Sequence, residues 1–290
     1  RVGTLGLDMM HLTCTVQANI DFLDEADAMR CLRLGYLTTP VLIALFANSP
    51  WHRGTDTGMA SFRAHIWTDV DPQRCDPGGW VFEADATIAD YVRWAAGVPM
   101  YFLEVPRADG SLELLTLPAG FSFADFIAQG FAGHVATLEY WETHVGTLFP
   151  DVRLKKHIEI RAADCVAPRL LPALPGIVEG LFYDPQASTE AFDLLRDGDS
   201  SVDRMQLRAQ ACASGLSGAA SGLQLRSLAV ELVGIAKRGL GRLIAAGYEE
   251  ESARDCLDEL ESIARGDDPP LHTVAAKHLS RSASLTSLTV

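Results

Sequence analysis

The sequence lacks an excess of positive charge, and this absence limits the partners it can have. Its 290 residues contain 24 Lys and Arg against 38 Asp and Glu, which gives a formal net charge of −14. Nucleic acids and anionic membrane surfaces both require a basic footprint on the protein. We therefore expect neither as a main partner. An anionic small molecule would have to be held by a few well-placed arginines or lysines.

Closely spaced cysteines and long apolar runs are also missing. The longest apolar run, PVLIALFA at 40–47, is too short to span a bilayer. No two cysteines form a CxxC pair, which indicates neither a zinc site nor a disulfide framework and favours a reduced, cytoplasmic chain. The six cysteines are Cys14, Cys31, Cys75, Cys165, Cys212 and Cys256.

The composition is that of a globular protein, with 48% hydrophobic and 21% charged residues. The pattern predicts an α+β sheet domain over 1–185, which includes a helix over 24–37 with acidic residues first. A helical appendage of the same domain is expected over 186–268. The Asp-Asp-Pro-Pro stretch ends it, and a Ser-rich tail over 269–290 is expected to be frayed at its end.

The stretch TCTVQANIDF at 13–22 alternates strictly between polar and apolar residues. Such alternation predicts a half-buried β-strand, because successive side chains point to opposite faces. Cys14 belongs to the apolar set and is expected to be a small core residue. The polar set carries hydroxyls, amides and one carboxylate: Thr13, Thr15, Gln17, Asn19 and Asp21.

The stretch RLKKHIEIR at 153–161 has a second polar face if it is a regular strand, formed by Arg153, Lys155, His157, Glu159 and Arg161. On the pattern alone, the favoured interpretation is an antiparallel sheet with one face in water. The alternative joins both polar faces into one cavity. There Glu159 would bind a divalent cation and Arg161 a phosphate. Gln17 and Asn19 would add oxygen ligands or hydrogen bonds to a substrate.

Five ordered segments add context to these two stretches. They are GLDMMHLTCTVQANIDF, ALFANSPWHRGTDTGMASFRAHIWTDVDPQR, VPMYF, FPDVRLKKHIEIRAAD, and the ALP and GLFYD of 173–184. Together they closely resemble the plant-type and proteobacterial glutamate–cysteine ligases over residues 3–265. The resemblance implies a glutamine-synthetase-like fold, in which a curved antiparallel sheet forms a funnel with helices packed outside it. Residues 1–185 would be the C-terminal portion of a larger catalytic domain.

The resemblance also implies a reaction, the first step of glutathione synthesis. ATP phosphorylates the γ-carboxylate of glutamate, and the amine of cysteine then displaces phosphate from the acyl phosphate. ATP and Mg²⁺ are the implied cofactors, with Mg²⁺ neutralising charge on the phosphates. Glutamate, cysteine and ATP are the implied partners of a monomer or homodimer.

Specific roles follow from the same resemblance. Glu159 and Gln17 are implied metal ligands, and Arg161 and Arg63 are implied catalytic residues, with Arg161 at the transferred phosphate. The implied substrate-binding residues are Thr13, Asn19, Arg63, Met100, Tyr101 and Phe102. The implied nucleotide-binding residues are Arg153, Lys155 and Arg161.

Several positions depart from the family pattern. Leu12 stands where an Arg is usual, Gly97 replaces an Asp, and Ala124 replaces an Arg. Ala162 stands where a Gly is usual. These changes leave two alternatives open: a sister ligase with another amine or acid substrate, and a catalytically inactive ligase-like binding domain. The resemblance also leads us to expect an N-terminal segment before Arg1 that carries further metal-binding carboxylates.

Overall fold

The computed structural model describes residues 3–107, 109–196 and 201–286. Its α-helices are α1 Gly6–Leu12, α2 Glu25–Phe46, α3 Phe62–Ile66, α4 Pro72–Cys75, α5 Ile88–Gly97, α6 Phe123–Gln129, α7 Leu138–Gly146, α8 Ala173–Phe182, α9 Pro185–Arg196, α10 Ser201–Ser214, α11 Leu225–Ala245, α12 Asp258–Arg265 and α13 Leu271–Thr286. Its strands are β1 Ala18–Ile20, β2 Trp51–His52, β3 Thr55–Asp56, β4 Leu103–Pro106, β5 Leu112–Leu115, β6 Val152–Leu154, β7 Ile158–Ile160, β8 Ala219–Ala220 and β9 Leu223–Gln224.

The largest sheet has three antiparallel strands in the order β1-β7-β6. The other strands form two-stranded antiparallel ribbons, β2 with β3, β4 with β5 and β8 with β9. This mixture of helices and antiparallel strands confirms the predicted α+β class. Within the described ranges, no wider curved sheet is present.

Helix α2 is the central core element and covers one face of the three-stranded sheet. It begins where the Asp24 carboxylate accepts a hydrogen bond from the Asp27 N–H, an N-cap that stabilises the first turn. Gly35 permits a close approach to the sheet, because an added Cβ would lie 2.9 Å from Val152 Cγ1. The predicted helix over 24–37 is thus confirmed, and it continues past Pro40 to include most of the apolar run.

By length and composition, α2 is the one helix in the described part of the chain that could cross a membrane, and 83% of its apolar window is buried inside the protein. Its apolar residues pack against β6, β7 and the C-terminal helices in a single core cluster. This burial is that of a core helix, whose apolar surface is already covered by protein.

Residues 186–268, where a helical appendage was expected, are mostly helical, with the short ribbon of β8 and β9 between α10 and α11. Whether they form an appendage of the same domain stays a prediction. The tightest helix packing in this part of the structure joins α8 to α11. An added Cβ at Gly239 would lie 2.0 Å from the Gly180 carbonyl oxygen, so the two backbones touch where both residues lack side chains. Helix α13 extends through residues where the sequence analysis expected a frayed, Ser-rich tail. The last residues of that tail, 287–290, lie outside the described ranges.

The strand predicted over 13–22 is much shorter in the structure. Regular pairing covers only Ala18–Ile20, and an isolated bridge joins Thr15 to Asp164. Two residues separate Thr15 from Ala18, whereas three separate Ile160 from Asp164. The extra residue on one side acts like a β-bulge and interrupts the ladder. Cys14, expected in the core, is exposed.

The prediction of one regular strand over 153–161 is also wrong. The chain makes a hairpin instead, in which β6 and β7 flank a turn closed by the Lys155 N–H donating to the His157 carbonyl oxygen at 2.8 Å. Arg153 and Glu159 nevertheless share one face, because they stand directly opposite each other across the hairpin. The polar face therefore forms by cross-strand pairing rather than by alternation along a single strand.

Candidate functional site

Three polar residues lie side by side across the three-stranded sheet. Asn19 on β1 stands opposite Glu159 on β7, which in turn stands opposite Arg153 on β6. Their sequence neighbours Ile158 and Ile160 are fully buried in the core cluster that contains α2. Because side chains alternate along a strand, the row projects from the opposite face of the sheet, away from α2. We call this row and its charged neighbours Lys155, His157 and Arg161 the polar face.

Glu159 is the residue of the polar face that contacts most of the others. It is only 4% exposed. Its Oε2 lies 2.6 Å from Arg153 Nε and 4.0 Å from Arg161 Nη1. Its Oε1 lies 3.2 Å from Lys155 Nζ and 3.5 Å from His157 Nε2. A single carboxylate thus gathers two guanidinium groups, an ammonium group and an imidazole.

The electrostatics of this cluster favour an additional anion. Burial alone would raise the pKa of Glu159, but the hydrogen bonds and charges of Arg153 and Lys155 outweigh it and hold the pKa below its usual value. Burial and the neighbouring charge of Arg153 lower the pKa of Arg161 to about 10. One carboxylate faces three cations, so the cluster keeps an excess of positive charge in a chain whose net charge is −14.

Arg161 carries an unused donor. Among the described residues, its buried Nη1 has no hydrogen-bond partner, although buried polar groups are normally paired. The guanidinium lies 5.7 Å from the centre of the Trp67 ring, in cation–π contact. A phosphate or carboxylate oxygen at this point would satisfy the donor, which makes Arg161 the best placed of the predicted residues to bind an anion.

Arg63 is buried next to this cluster and binds the backbone that carries Arg161. Its Nη2 donates to the Arg161 carbonyl oxygen at 2.9 Å and its Nη1 to the Ala162 carbonyl oxygen at 3.1 Å. Its nearest carboxylate is Asp164, at 3.8 Å. Asp164 also accepts hydrogen bonds from the Asn48 N–H and from two serine hydroxyls. Arg63 thus fixes the backbone that carries Arg161. Its predicted direct role at a substrate or phosphoryl group stays a prediction.

The predicted residues before β1 use their polar groups locally. The Thr13 hydroxyl donates to the Met9 carbonyl oxygen at the end of α1, at 2.6 Å. Gln17 Nε2 donates to Asn19 Oδ1 at 3.1 Å, and both side chains are exposed. Gln17 and Asn19 therefore stand at the open border of the polar face, whereas the Thr13 hydroxyl is engaged in ending a helix.

The predicted residues Met100, Tyr101 and Phe102 belong to another part of the structure. Met100 packs in a small cluster built from β4, α6 and α7, and Phe102 is half-buried. The Tyr101 ring lies 3.4 Å from the Arg74 guanidinium carbon in a cation–π contact. The structure does not bring these three residues into the three-stranded sheet, and their predicted contact with an incoming amino acid stays a prediction.

A cavity of about 590 Å³, which sequence reasoning missed, lies close to Arg161, although no residue of the polar face lines it and Tyr36, Thr39 and Pro40 of α2 form part of its wall. Trp67 and Asp151 line it, and both also contact Arg161: Trp67 through its ring, and Asp151 through a carbonyl oxygen that accepts the Arg161 N–H at 3.0 Å. The Asp151 carboxylate pairs with Arg208 of α10 at 2.7 Å. No local pattern relates Arg208 to Asp151, because they are 57 residues apart. Trp67 could have been noticed four residues after Arg63 in FRAHIW.

The donor set shows how far these residues suit a metal ion. In the described residues, no group of three or more His, Cys, Asp or Glu side chains could hold one. Mg²⁺, however, keeps several waters and often takes only one or two carboxylates together with substrate phosphates. Glu159 supplies one carboxylate, and its two oxygens already contact Arg153, Lys155, His157 and Arg161. Its predicted role as a metal ligand stays a prediction.

The fold and the polar face define an α+β protein that carries a cluster of cationic side chains around one carboxylate on an antiparallel sheet. A family model for glutamate–cysteine ligase family 2 (GCS2) matches residues 1–266. The chain therefore belongs to the glutamate–cysteine ligase family, and the resemblance read from its motifs is confirmed.

Curated relatives agree with this assignment. The chain is 40% identical over 268 residues to the chloroplastic glutamate–cysteine ligase of Nicotiana tabacum, covering 91% of this chain and 49% of the relative. It is 38% identical over 263 residues to the chloroplastic enzyme of Arabidopsis thaliana, covering 90% of this chain and 48% of the relative. The chain thus spans about half the length of the relatives it matches.

The relatives correct one expectation. They are named as chloroplastic proteins, which contradicts the cytoplasmic location expected from the cysteines. The physical reason is that the spacing of cysteines reports on zinc binding and disulfide formation. It carries no information on which cellular compartment receives the chain.

Proposed function

We propose that this chain forms the phosphate-binding part of an ATP-dependent glutamate–cysteine ligase. The reaction joins the γ-carboxylate of glutamate to the amine of cysteine through a γ-glutamyl phosphate. Family membership and the names of the relatives support this reaction class. ATP, glutamate and cysteine are the proposed small-molecule partners.

The observation that carries the proposal is the polar face itself. Glu159 holds Arg153, Lys155 and Arg161 together. In the part of the chain that the structure describes, Arg161 keeps one buried donor without a partner. Guanidinium groups bind phosphate oxygens through short, charge-assisted hydrogen bonds. Such a cluster is suited to bind the terminal phosphates of a nucleotide and the phosphoryl group while it is being transferred.

In the first chemical step, a carboxylate oxygen of glutamate attacks the γ-phosphorus of ATP, the bond to the bridging oxygen breaks, and ADP leaves. Arg161 would hold the equatorial oxygens of the transferred group, which carry the charge of the transition state. In the second step, the cysteine amine attacks the acyl carbon and phosphate leaves. Arg63 would act by holding the backbone of Arg161 in place.

Glu159, with Gln17 at the open border, would hold a Mg²⁺ ion that enters with the nucleotide, and the ion would neutralise charge on the phosphates. Arg153 and Lys155 would contact the remaining phosphate oxygens. Asn19 lies beside Glu159 and would bind substrate. We keep Thr13, Met100, Tyr101 and Phe102 as proposed substrate residues on the resemblance alone.

The proposed larger framework is a glutamine-synthetase-like funnel. The support is that β1 and β6 are both edge strands of the three-stranded sheet, so further antiparallel strands could pair on either side. The polar face would then be one wall of the funnel interior, and α2 would be one of its outer helices.

The test is ADP release by the full-length protein that contains this chain, measured with glutamate and a panel of amines. We expect ADP release with glutamate plus cysteine, and a loss of at least about 100-fold for Arg161→Ala, the range typical for removal of one charge-stabilising donor. Arg169→Ala is the matched control, because Arg169 is an exposed arginine paired with Glu259. It should retain wild-type activity.

Other outcomes identify the two alternatives. ADP release with a different acid or amine, and none with glutamate plus cysteine, would assign the site to a sister ligase. Binding of Mg·ATP without ADP release in any combination would assign it to an inactive ligase-like domain. Equal activity of Arg161→Ala and Arg169→Ala would contradict the proposed site.

A further inference from the structure

Arg161 is held on both sides of its own peptide backbone. Its N–H donates to the Asp151 carbonyl oxygen at 3.0 Å, and its carbonyl oxygen accepts a hydrogen bond from Arg63 Nη2 at 2.9 Å. Asp151 lies directly before β6, and Arg63 lies in α3. The direction in which the Arg161 side chain leaves the backbone therefore depends on how these two segments are placed relative to each other.

Arg208 of α10 binds both of these segments with one guanidinium group. Its Nε and Nη2 lie 2.7 Å and 3.2 Å from the two carboxylate oxygens of Asp151, which makes a bidentate pair. Its Nη2 also donates to the carbonyl oxygen of Ala64, the residue after Arg63, at 3.3 Å. Because a guanidinium group is planar and its donors keep a fixed geometry, Arg208 sets the spacing between residues 64 and 151.

This ion pair stays charged and lies outside the polar face. Burial would raise the pKa of Asp151, but the charge and hydrogen bonds of Arg208 outweigh it and hold the pKa below its usual value. The two side chains are only 18% and 17% exposed, so solvent screens the pair weakly. The hydrogen-bond partners of Arg208 are Asp151, Ala64 and the Cys212 sulfur. The geometry thus connects Arg208 to the polar face through the backbone of Arg161.

We propose that Arg208 and Asp151 are positioning residues for the phosphoryl-transfer step, and that they act by fixing the orientation of the Arg161 guanidinium. This role rests on the proposed function, in which Arg161 holds the equatorial oxygens of the transferred group. Glu159 holds the other cations of the polar face, so these would still bind the nucleotide in its ground state. Loss of the bidentate pair should therefore lower kcat more than it raises KM for ATP.

Arg208→Lys is the test variant, because it keeps the positive charge and loses the planar fork. ADP release by the full-length protein that contains this chain is measured with glutamate plus cysteine over a range of ATP concentrations. We expect kcat to fall about tenfold, with KM for ATP within about twofold of wild type. Arg242→Lys is the matched control and should retain wild-type kcat, because Arg242 of α11 makes the same bidentate contact with Asp184, at 3.0 Å and 2.7 Å.

A double-variant cycle separates positioning from general destabilisation. Because Arg208 is proposed to act through Arg161, adding Arg208→Lys to Arg161→Ala should lower the residual kcat by less than about twofold. Asp151→Asn keeps the size of the side chain and removes its charge, and it should reproduce the pattern of Arg208→Lys. It decides the question if Arg208→Lys does not fold.

Three outcomes would overturn the positioning role. One is wild-type kcat in Arg208→Lys and Asp151→Asn while Arg161→Ala is impaired, which would leave the proposed function intact. A second is an undiminished loss in the Arg161→Ala background, since Arg208 would then act elsewhere. The third is an equal loss of kcat in Arg242→Lys, which would indicate general destabilisation. The proposed function itself fails by a different result, the equal activity of Arg161→Ala and Arg169→Ala.

Discussion

The two faces of the three-stranded sheet differ in what they contribute to the protein. The face towards α2 carries Ile158 and Ile160, which are fully buried, and Gly35 lets the helix approach closely. The opposite face carries Glu159 and its cations, with an excess of positive charge. Apolar burial stabilises the fold on one side, while an incompletely neutralised cluster on the other leaves donors for a ligand. Changes on the two faces should therefore separate stability from binding.

The largest expected effect on stability comes from the apolar face. Ile160→Ala removes buried methyl and methylene groups and leaves a cavity beneath α2. We expect the free energy of unfolding to fall by about 3 kcal/mol, measured by urea denaturation. Affinity for ATP, measured on the folded fraction at low temperature, should stay within about twofold of wild type. A larger loss of affinity would mean that the two faces are not separable.

Glu159→Gln should lower stability less than Ile160→Ala does. It should change the affinities for metal-free triphosphate and for Mg·ATP in opposite directions. The variant keeps a hydrogen-bond acceptor for Arg153 but removes the charge that the cations share. We expect a loss of about 1–2 kcal/mol, because these partners are partly exposed. In isothermal titration calorimetry, metal-free triphosphate should bind more tightly, since the cluster becomes more positive. Mg·ATP should bind more weakly. Weaker binding of both ligands would contradict the proposed charge balance.

Arg161→Ala should show the reverse of the pattern expected for Ile160→Ala. Its Nη1 is a buried donor that has no partner within the described ranges, so its removal relieves an unfavourable group, and we expect stability to change by less than about 1 kcal/mol. Affinity for ATP should fall about tenfold, which corresponds to about 1.4 kcal/mol. Thermal unfolding together with calorimetric titration checks both values. A large loss of stability with unchanged affinity would assign Arg161 a structural role only.

The smallest expected effect is a difference in acid sensitivity. The folded pKa of Glu159 is lowered from 4.5, so the unfolded chain binds its proton at a higher pH than the folded chain does. Its contribution to stability is present above pH 4.5 and is lost as the pH falls through the lowered folded value. Between pH 5 and 3, wild type should lose stability more steeply than Glu159→Gln. Ile160→Ala, which removes no charge, should keep the wild-type slope.

Period-two alternation predicted the polar face only in part. It placed Asn19, Glu159 and Arg153 on polar faces, and the structure brings them into one row. It did not reveal the turn between β6 and β7, because residues 153 and 159 share a face both in one long strand and across a hairpin. It also overestimated the length of β1, because the ladder between β1 and β7 is interrupted by an extra residue in the partner segment 161–163.

The rest of the site depends on packing between distant segments. Arg63 meets Asp164 across about a hundred residues, and Arg208 meets Asp151 across 57. Charge complementarity alone does not choose among the many carboxylates of an acidic chain. The α+β class and the helix over 24–37 were predictable, since both follow from local periodicity and helix capping.

The most direct test of the central claim is the affinity of inorganic triphosphate for this chain, compared among wild type, Arg161→Ala and Arg169→Ala at fixed ionic strength. Triphosphate carries no base or sugar, so its affinity depends only on contacts to phosphate. The account predicts that Arg161→Ala binds about tenfold more weakly and that Arg169→Ala binds like wild type. Equal affinities for the two variants would show that phosphate binds elsewhere and would contradict the account.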